Sequence, residues 1–541
     1  MSTTTLGHRW EGSAKGGAFR RGWGRPTRLP GLLLLLLLLL APGLFGCGAP
    51  VLELDDADAH AFVSEWVDGV YGLVTVERYS PPRASRVYGY LGVALFEGWV
   101  HGLDDMHSTA GLLNELDSLP EPEAGATHDW PVVAAASAHG VMEHLFQGTT
   151  GSTLNAIDEL RNVQVERRRE AGVREGIIEA SLAYGSRLAE ALVEWAEADG
   201  YRETRGRAYT PPVGPDQWVP TAEYGTSIAL NPVMNIVHRY DGTESPEGDR
   251  LRAGWQSDRM HLTGRPDAIT DHNVAMEPYW GELRPFLISD PSHFPPVPFK
   301  PYSEDPESEF YKELLEVYEV SQGVTEEQIA TAHFWADNPG ETGTPGGHWM
   351  RIASQLMAEL ELSIPESLEL TLLTSLSVAD AFIACWDAKY ALTFVRPKTL
   401  INRWIDPTWE SILVTPPFPE YPSGHSTVSG AAATSLTALL GEIPFEDRTH
   451  VNRYGFEARS YRSFVEAGRE AAASRLYGGI HYPMANANGL EHGERVGRVI
   501  AERLLGYTRG ERFQMEEALP ERLFEPIAPA GWDDWASLDG G

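Results

Sequence analysis

The stretch from Glu366 to Thr393 has helical periodicity, and around its end the residues Phe382, Ile383, Cys385, Trp386, Leu392, Phe394 and Val395 are apolar nearly all round. A helix with no polar face has to be buried. Lys389 and Arg396 nevertheless fall inside this apolar run. In a continuous helix seven steps rotate by about 700°, nearly two turns, so both cations are expected on one face. On a surface helix such a pair would be solvated. In an apolar setting it needs an anion between its members. Pro397 is expected to end this helix.

Two later segments carry the same signal. Pro422-Ser423-Gly424-His425 leads into the small-residue run Ser426 to Ala433. The first turn of such a helix offers unpaired N–H groups and the positive end of the dipole. Gly424 allows close backbone approach, although an ordinary cap before a packing helix has the same pattern. Ser474-Arg475 is followed by Gly478-Gly479 and His481. Six helical steps would put Arg475 and His481 on different faces, so the glycines are expected to break the helix and turn His481 back. The whole chain carries 77 Asp and Glu against 43 Lys and Arg, a formal charge of -34. That balance argues against nucleic acid and anionic membrane surfaces as partners. A cationic pocket in an acidic protein points to a tightly held oxyanion.

The rest of the sequence reads as all-α, two helical bundles with long irregular connections and the site in the C-terminal bundle. Residues 48–200 form an N-terminal helical domain, with periodicity over Ala84–Trp99 and Ser152–Asp199. Residues 201–307 are a Pro- and Gly-rich connecting region in which short strands or helices are hidden. Residues 308–515 hold the site, and 516–541 are a tail. The C-terminal helices are expected over 308–322, 325–335, 346–362, 366–393, 426–440, 454–477 and 489–505. Thr325 with Gln328 resembles a capping box, and Pro365 sits near a helix start. No tight hairpin and no internal repeat is visible.

Residues 1–47 read as an address. Arg20, Arg21, Arg25 and Arg28 precede nine leucines, Leu32 to Leu40, and then Leu44-Phe45-Gly46-Cys47. A basic region, a short apolar region and a small residue describe a secretory signal. The apolar run is about half the roughly 20 residues of a bilayer span. The last four residues resemble a bacterial lipobox, in which Cys47 is lipidated and becomes the mature N-terminus; the alternative is a plain signal peptide cut nearby, or an uncleaved anchor. The expectation is an exported protein of the cell envelope that meets membrane only through this anchor. Cys385, the one other cysteine, then has no partner and is expected to be a buried small hydrophobe. No other apolar span is read from the sequence.

The three segments, Lys389-x6-Arg396-Pro397, Pro422-Ser423-Gly424-His425 and Ser474-Arg475-x5-His481, occur in the order and spacing of the vanadium-dependent haloperoxidases and the related type 2 phosphatidic acid phosphatase superfamily. The resemblance is close over residues 389–485. Pro416 to Tyr421 resembles the haloperoxidase branch, with Phe418 in the halide-lining position, where Phe resembles the chloroperoxidase-type pocket, and Trp386, three before Lys389, as a further pocket-lining residue. Phe334-Trp335-Ala336-Asp337-Asn338-Pro339 resembles the segment that supplies an acid to the site arginine, with Asp337, or Asn338 beside it, in that place.

The resemblance implies vanadate as cofactor, with His481 as the vanadium ligand. It implies Lys389, Arg396 and Arg475 on the oxygens, Ser423 and the Gly424 N–H as hydrogen-bond donors, and His425 as the acid–base group assisted by Lys389. Hydrogen peroxide would then oxidise halide to hypohalous acid, which a small organic acceptor receives. Vanadate mimics phosphate, so two alternatives stand: a phosphomonoesterase with His481 as nucleophile, and an inactive envelope lipoprotein. The sequence departs from the family at Ala485, four residues after His481, where an Asp usually orients the imidazole. Asn486 or a backbone carbonyl is the expected substitute.

Overall fold

Helices form where capping side chains meet apolar periodicity. The computed structural model describes residues 56–221, 275–451, 455–509 and 514–524, so Cys47 and the leader lie outside the described residues. The N-terminal region contains α1 (Asp56–Val76), α2 (Pro81–Trp99), α3 (Trp130–Leu145), α4 (Gly151–Glu170), α5 (Glu175–Glu197) and the single turn α6 (Tyr201–Thr204). Ser80, Asp129 and Thr150 accept hydrogen bonds from the first-turn N–H groups of α2, α3 and α4. Those N–H groups would otherwise be unpaired. The run expected from Ser152 to Asp199 is two helices, separated where Gly172 takes a φ of 97°.

The connecting region contains two short 3₁₀ turns among its described residues, Trp280–Glu282 and Pro291–His293. The C-terminal region follows with α7 (Glu309–Gly323), α8 (Glu326–Phe334), α9 (Thr344–Glu359), α10 (Ile364–Leu392), α11 (Pro397–Trp404), α12 (Gly424–Leu440), α13 (Phe464–Tyr477), α14 (Pro483–Arg509) and α15 (Met515–Ala518). The Thr325–Gln328 capping box opens α8, and Ser363 with Glu366 forms another at α10. The helix expected from Tyr454 begins only at Phe464, where Ser463 accepts from the Glu466 N–H. Ahead of it, β2 (Arg459–Tyr461) pairs antiparallel with β1 (Phe445–Asp447). The pair joins the Phe445 and Tyr461 rings, 5.4 Å apart.

One apolar core runs from Phe62 and Trp66 on α1 through Leu372, Phe382 and Trp386 on α10 to Val428 on α12 and Leu490 on α14. Among the described residues α10 alone is long and apolar enough to cross a bilayer, and its apolar window is wholly buried inside protein. It is the axial helix of the core, which its lack of a polar face requires. Cys385 is buried on it.

α12 and α14 cross at backbone contact. A Cβ on Gly493 would stand 1.9 Å from the Thr427 carbonyl oxygen, and one on Gly430 would stand 2.4 Å from that of Leu490. This crossing fixes the first turn of α12 against the start of α14. A second apolar cluster, including Phe310, Phe394, Leu476, Tyr482 and Ala485, lies under the chain that carries His481.

Candidate active site

Lys389 and Arg396 converge, but not on one helix. α10 ends at Leu392, where Thr393 turns left-handed (φ 49°) and its N–H donates to the Lys389 carbonyl. Arg396 is the extended residue ahead of α11, and Pro397 starts that helix instead of ending the previous one. Proline is at home there because a first-turn N–H has no intrahelical partner in any case. Both cations reach the face of Phe418: Lys389 Nζ lies 5.1 Å and Arg396 Cζ 4.8 Å from its ring centroid. Trp386 packs against the same ring at 5.0 Å. Lys389 donates to the carbonyls of Pro419, Glu420 and Pro422. Burial and Arg396 push its ammonium down to about 7, while three carbonyl acceptors favour the charged form.

The second segment forms a helix start, as its residues suggest. Ser423 is the N-cap of α12, accepting from the Ser426 N–H at 3.4 Å and the Ser426 hydroxyl at 2.8 Å. Gly424 faces Trp386, whose ring would be 3.3 Å from an added Cβ. His425 stands on the pocket wall, partly exposed. Its Nε2 is 3.2 Å from the Ala336 carbonyl and 3.4 Å from Arg475 Nη1. A carbonyl only accepts, so Nε2 carries the hydrogen and Nδ1 keeps a lone pair. Burial and the neighbouring Arg475 hold this imidazole well below its ordinary pKa.

In the third segment α13 ends at Tyr477, and Gly479 takes φ 74°. The turn brings His481 back over Arg396. Arg475 donates to the Ser474 hydroxyl and the Ala332 carbonyl. Arg396 donates from Nε to the Phe418 carbonyl and from Nη1 to the Ile480 carbonyl and to His481 Nε2 at 3.1 Å. Its Nη2 is buried without a hydrogen bond.

Glu420 is the residue that the sequence left unassigned. Its Oε1 accepts from His481 Nδ1 at 2.8 Å and from the Tyr482 N–H at 3.0 Å. It does what the absent acid at Ala485 would do, from a segment more than sixty residues earlier in the chain. Asn486 does not take that place; its side chain approaches Ser426. With Nδ1–H given to Glu420, Nε2 is an acceptor lone pair, the form in which imidazole binds a metal. Burial pushes the Glu420 carboxyl up to about 8, against the pull of Arg396 and Lys389.

Asp337 also lines this pocket, in a left-handed backbone (φ 46°). Its carboxylate is hydrogen-bonded to His348 at 2.8 Å, and it acts on Arg475 through its charge alone. Apart from Asn338, the remaining side chains of the wall are apolar, among them Met276, Phe382, Trp386, Val414 and Phe418. The free space in this partly open pocket is about 40 Å³, room for a few water-sized groups or one small tetrahedral ion at ~10–15 Å³ per water-sized group. Burial also lowers the guanidinium of Arg396 to about 10 and that of Arg475 to about 9. Three buried cations, of which Arg475 lines the pocket itself, against the buried acids Glu420 and Asp337, with an unused guanidinium N–H on Arg396, fit an oxyanion.

The chain matches the family described as the VCPO second helical-bundle domain over residues 369–510. Among solved structures it is similar to a bacterial vanadium-dependent iodoperoxidase, at 33% identity and TM-score 0.68, covering 82% of this chain and 96% of that one. It also shares its fold with a bacterial vanadium-dependent chloroperoxidase. The holo form matches at 16% identity and TM-score 0.52, covering 85% of this chain and 94% of that one. The apo form matches at 17% and 0.53, covering 86% and 97%. No curated protein matches. These likenesses do not favour the phosphomonoesterase and inactive-lipoprotein readings.

Proposed function

The chain belongs to the vanadium-dependent haloperoxidases, and from that premise we propose which of its residues carry the activity and which halide it prefers. The family reaction converts halide, hydrogen peroxide and a proton to hypohalous acid and water. Vanadate, the family's cofactor, supplies the Lewis-acid centre that activates peroxide when bound. His481 Nε2 would be the metal-binding atom, held in that tautomer by Glu420. Arg396, Arg475 and Lys389 supply the positive charge that holds the oxyanion, with the hydroxyl of Ser423 and the Gly424 N–H beside them. His425 would be the proton carrier: with Nε2 facing the Ala336 carbonyl, its Nδ1 lone pair could take a proton from hydrogen peroxide and give it up again to the water formed. The observation that carries this reading is the Glu420–His481–Arg396 line, which leaves an imidazole lone pair among buried cations.

Iodide is the halide we assign. It is the largest and least tightly hydrated of the halides, so it loses least on entering a wall of Trp386, Phe418, Phe382 and Met276. The relative at 33% identity is named an iodoperoxidase. Vanadate-loaded protein is expected to turn over iodide at least tenfold faster than bromide at equal peroxide. Equal or faster bromide turnover would overturn the halide assignment and leave the family assignment standing.

We also propose export and a lipid anchor on Cys47. The support is the Arg-rich segment, the nine leucines and the Leu-Phe-Gly-Cys end. Cys47→Ser is expected to move the protein from the membrane fraction to the soluble fraction. Unchanged partition would refute the anchor.

A further inference from the structure

Behind the pocket wall lies a group of ionisable side chains of which only Asp337 reaches the pocket. His348 on α9 is fully buried between two carboxylates, with Nδ1 2.8 Å from Asp337 and Nε2 2.7 Å from Asp447. His450, in the turn after β1, directs Nε2 at the second oxygen of Asp337, 3.3 Å away. Among the described residues no shorter contact to that oxygen, Oδ1, is seen. All four residues are at most 2% exposed. Phe334 lies against both imidazoles, and Trp335 stacks on His348 at 4.3 Å.

Two buried carboxylates need positive charge. A proton on His348 supplies some of it, and that imidazolium is pushed up to about 10 by Asp337 and Asp447 despite its burial. One shared proton accounts for His348 between two acids. The second imidazole, His450, approaches the other oxygen of Asp337 at 3.3 Å, so that both oxygens of this carboxylate face a histidine nitrogen. One ligating atom from each of Asp337, His348 and His450 lies within 4.8 Å of the other two, as donors around a single ion would. Two imidazoles and a carboxylate are the donor set of divalent transition metals, zinc among them. Asp447 completes the pattern. It accepts from the far nitrogen of His348, as a carboxylate behind a metal-bound histidine does, and is itself held by the Thr449 N–H at 2.9 Å. A dication with two neutral imidazoles balances the two carboxylates of the cluster by itself, whereas a single imidazolium leaves one negative charge to be met by Arg475 outside it.

We propose that Asp337, His348 and His450 form a second cation site, for a divalent transition metal with zinc as the best fit, and that Asp447 orients His348 within it. The site is separate from the oxyanion pocket and shares with it only Asp337, whose backbone is held left-handed at the pocket wall. Its role is structural: the bound ion fixes Asp337 beside Arg475 and His425.

Full-length protein, stripped with chelator under denaturing conditions and refolded with excess zinc or cobalt, tests this by elemental analysis and visible absorption. The expected result is about one divalent ion per chain after gel filtration, whether or not vanadate is present, and d–d bands in the cobalt form. His450→Ala is expected to lose the ion, and Asp447→Asn to bind it roughly 10- to 100-fold more weakly. Wild-type protein that refolds without retaining any divalent ion overturns the site and leaves His348 as a protonated bridge. Retention undiminished in His450→Ala also overturns it. Wild-type stoichiometry decides the question even where a variant does not fold. Vanadium content, measured in the same samples, reports on His481 alone, so failure at one site is not mistaken for failure at the other.

Discussion

Glu420 accepts the Nδ1 hydrogen of His481 at 2.8 Å, and the imidazole thereby turns its Nε2 lone pair toward the guanidinium of Arg396, 3.1 Å away. An acid beside the Ser-Gly-His turn thus does the work of an acid placed four residues after the histidine, where this chain has Ala485.

Replacing that acid isolates its contribution. Glu420→Gln keeps the size and one acceptor but brings an amide N–H that can turn to donate to Nδ1, which favours the other tautomer. Vanadate retention is expected to fall roughly 10- to 100-fold, the range for partners that orient metal-bound histidines. Equilibrium dialysis with elemental analysis measures it, with circular dichroism to show that the fold is kept. Unchanged retention would mean that Glu420 does not set the tautomer.

Oxyanion binding is expected to take up protons. Burial favours the neutral amine of Lys389, lowering it to about 7, and a bound anion favours the ammonium. At pH 8 the linkage therefore runs toward proton uptake on binding, and affinity falls as pH rises past 7. Calorimetry with orthophosphate in two buffers of different ionisation enthalpy gives the number and sign. Proton release at pH 8 would contradict this, and no exchange would mean that the carbonyls of Pro419, Glu420 and Pro422 keep Lys389 charged throughout.

Phe418 presents its face to two cations at once. Phe418→Leu keeps an apolar wall but removes the ring quadrupole, and is expected to cost about 1–2 kcal/mol of stability. Iodide turnover is expected to drop as the two cations lose their common support. Chemical denaturation and halide kinetics report the two effects separately. A variant as stable as wild type would show that the cation–ring contacts contribute nothing.

The crossing of α12 and α14 leaves no room for a side chain at Gly493, where a Cβ would stand 1.9 Å from the Thr427 carbonyl oxygen. Gly493→Ala has to push the helices away from each other at the point that holds Ser423, Gly424 and His425 in place. A loss of at least about 2 kcal/mol is expected, the range for overpacking a rigid core site. Gly506→Ala, on the same helix with open space at its Cβ, is the control and is expected to be neutral or mildly stabilising. Equal behaviour of the two variants would refute the close crossing.

Much of the site was legible because its pieces are local. A helix start at Ser423, a glycine-broken turn before His481 and cations in an apolar run are each written in a few consecutive residues. The groups that remained illegible act across long separations. Glu420 meets His481 across 61 positions, and His348 meets Asp447 across 99. Neither pairing has a local period or spacing to announce it. The helix expected to carry both Lys389 and Arg396 failed at Thr393, because the residue before Pro397 belongs to an extended segment and proline there begins a helix as readily as it ends one. The β1–β2 pair was missed because three-residue strands give too short a pattern to separate from coil.

The central claim is that His481 binds vanadium in a site that oxidises halide. The direct measurement is vanadium content and iodide oxidation of the same purified samples, wild type and His481→Ala, loaded with orthovanadate and assayed with hydrogen peroxide. Wild type is expected to hold about one vanadium per chain and to form triiodide, with both lost in His481→Ala. Vanadium retained by His481→Ala, or wild-type protein that binds vanadium and leaves iodide unoxidised, would contradict it.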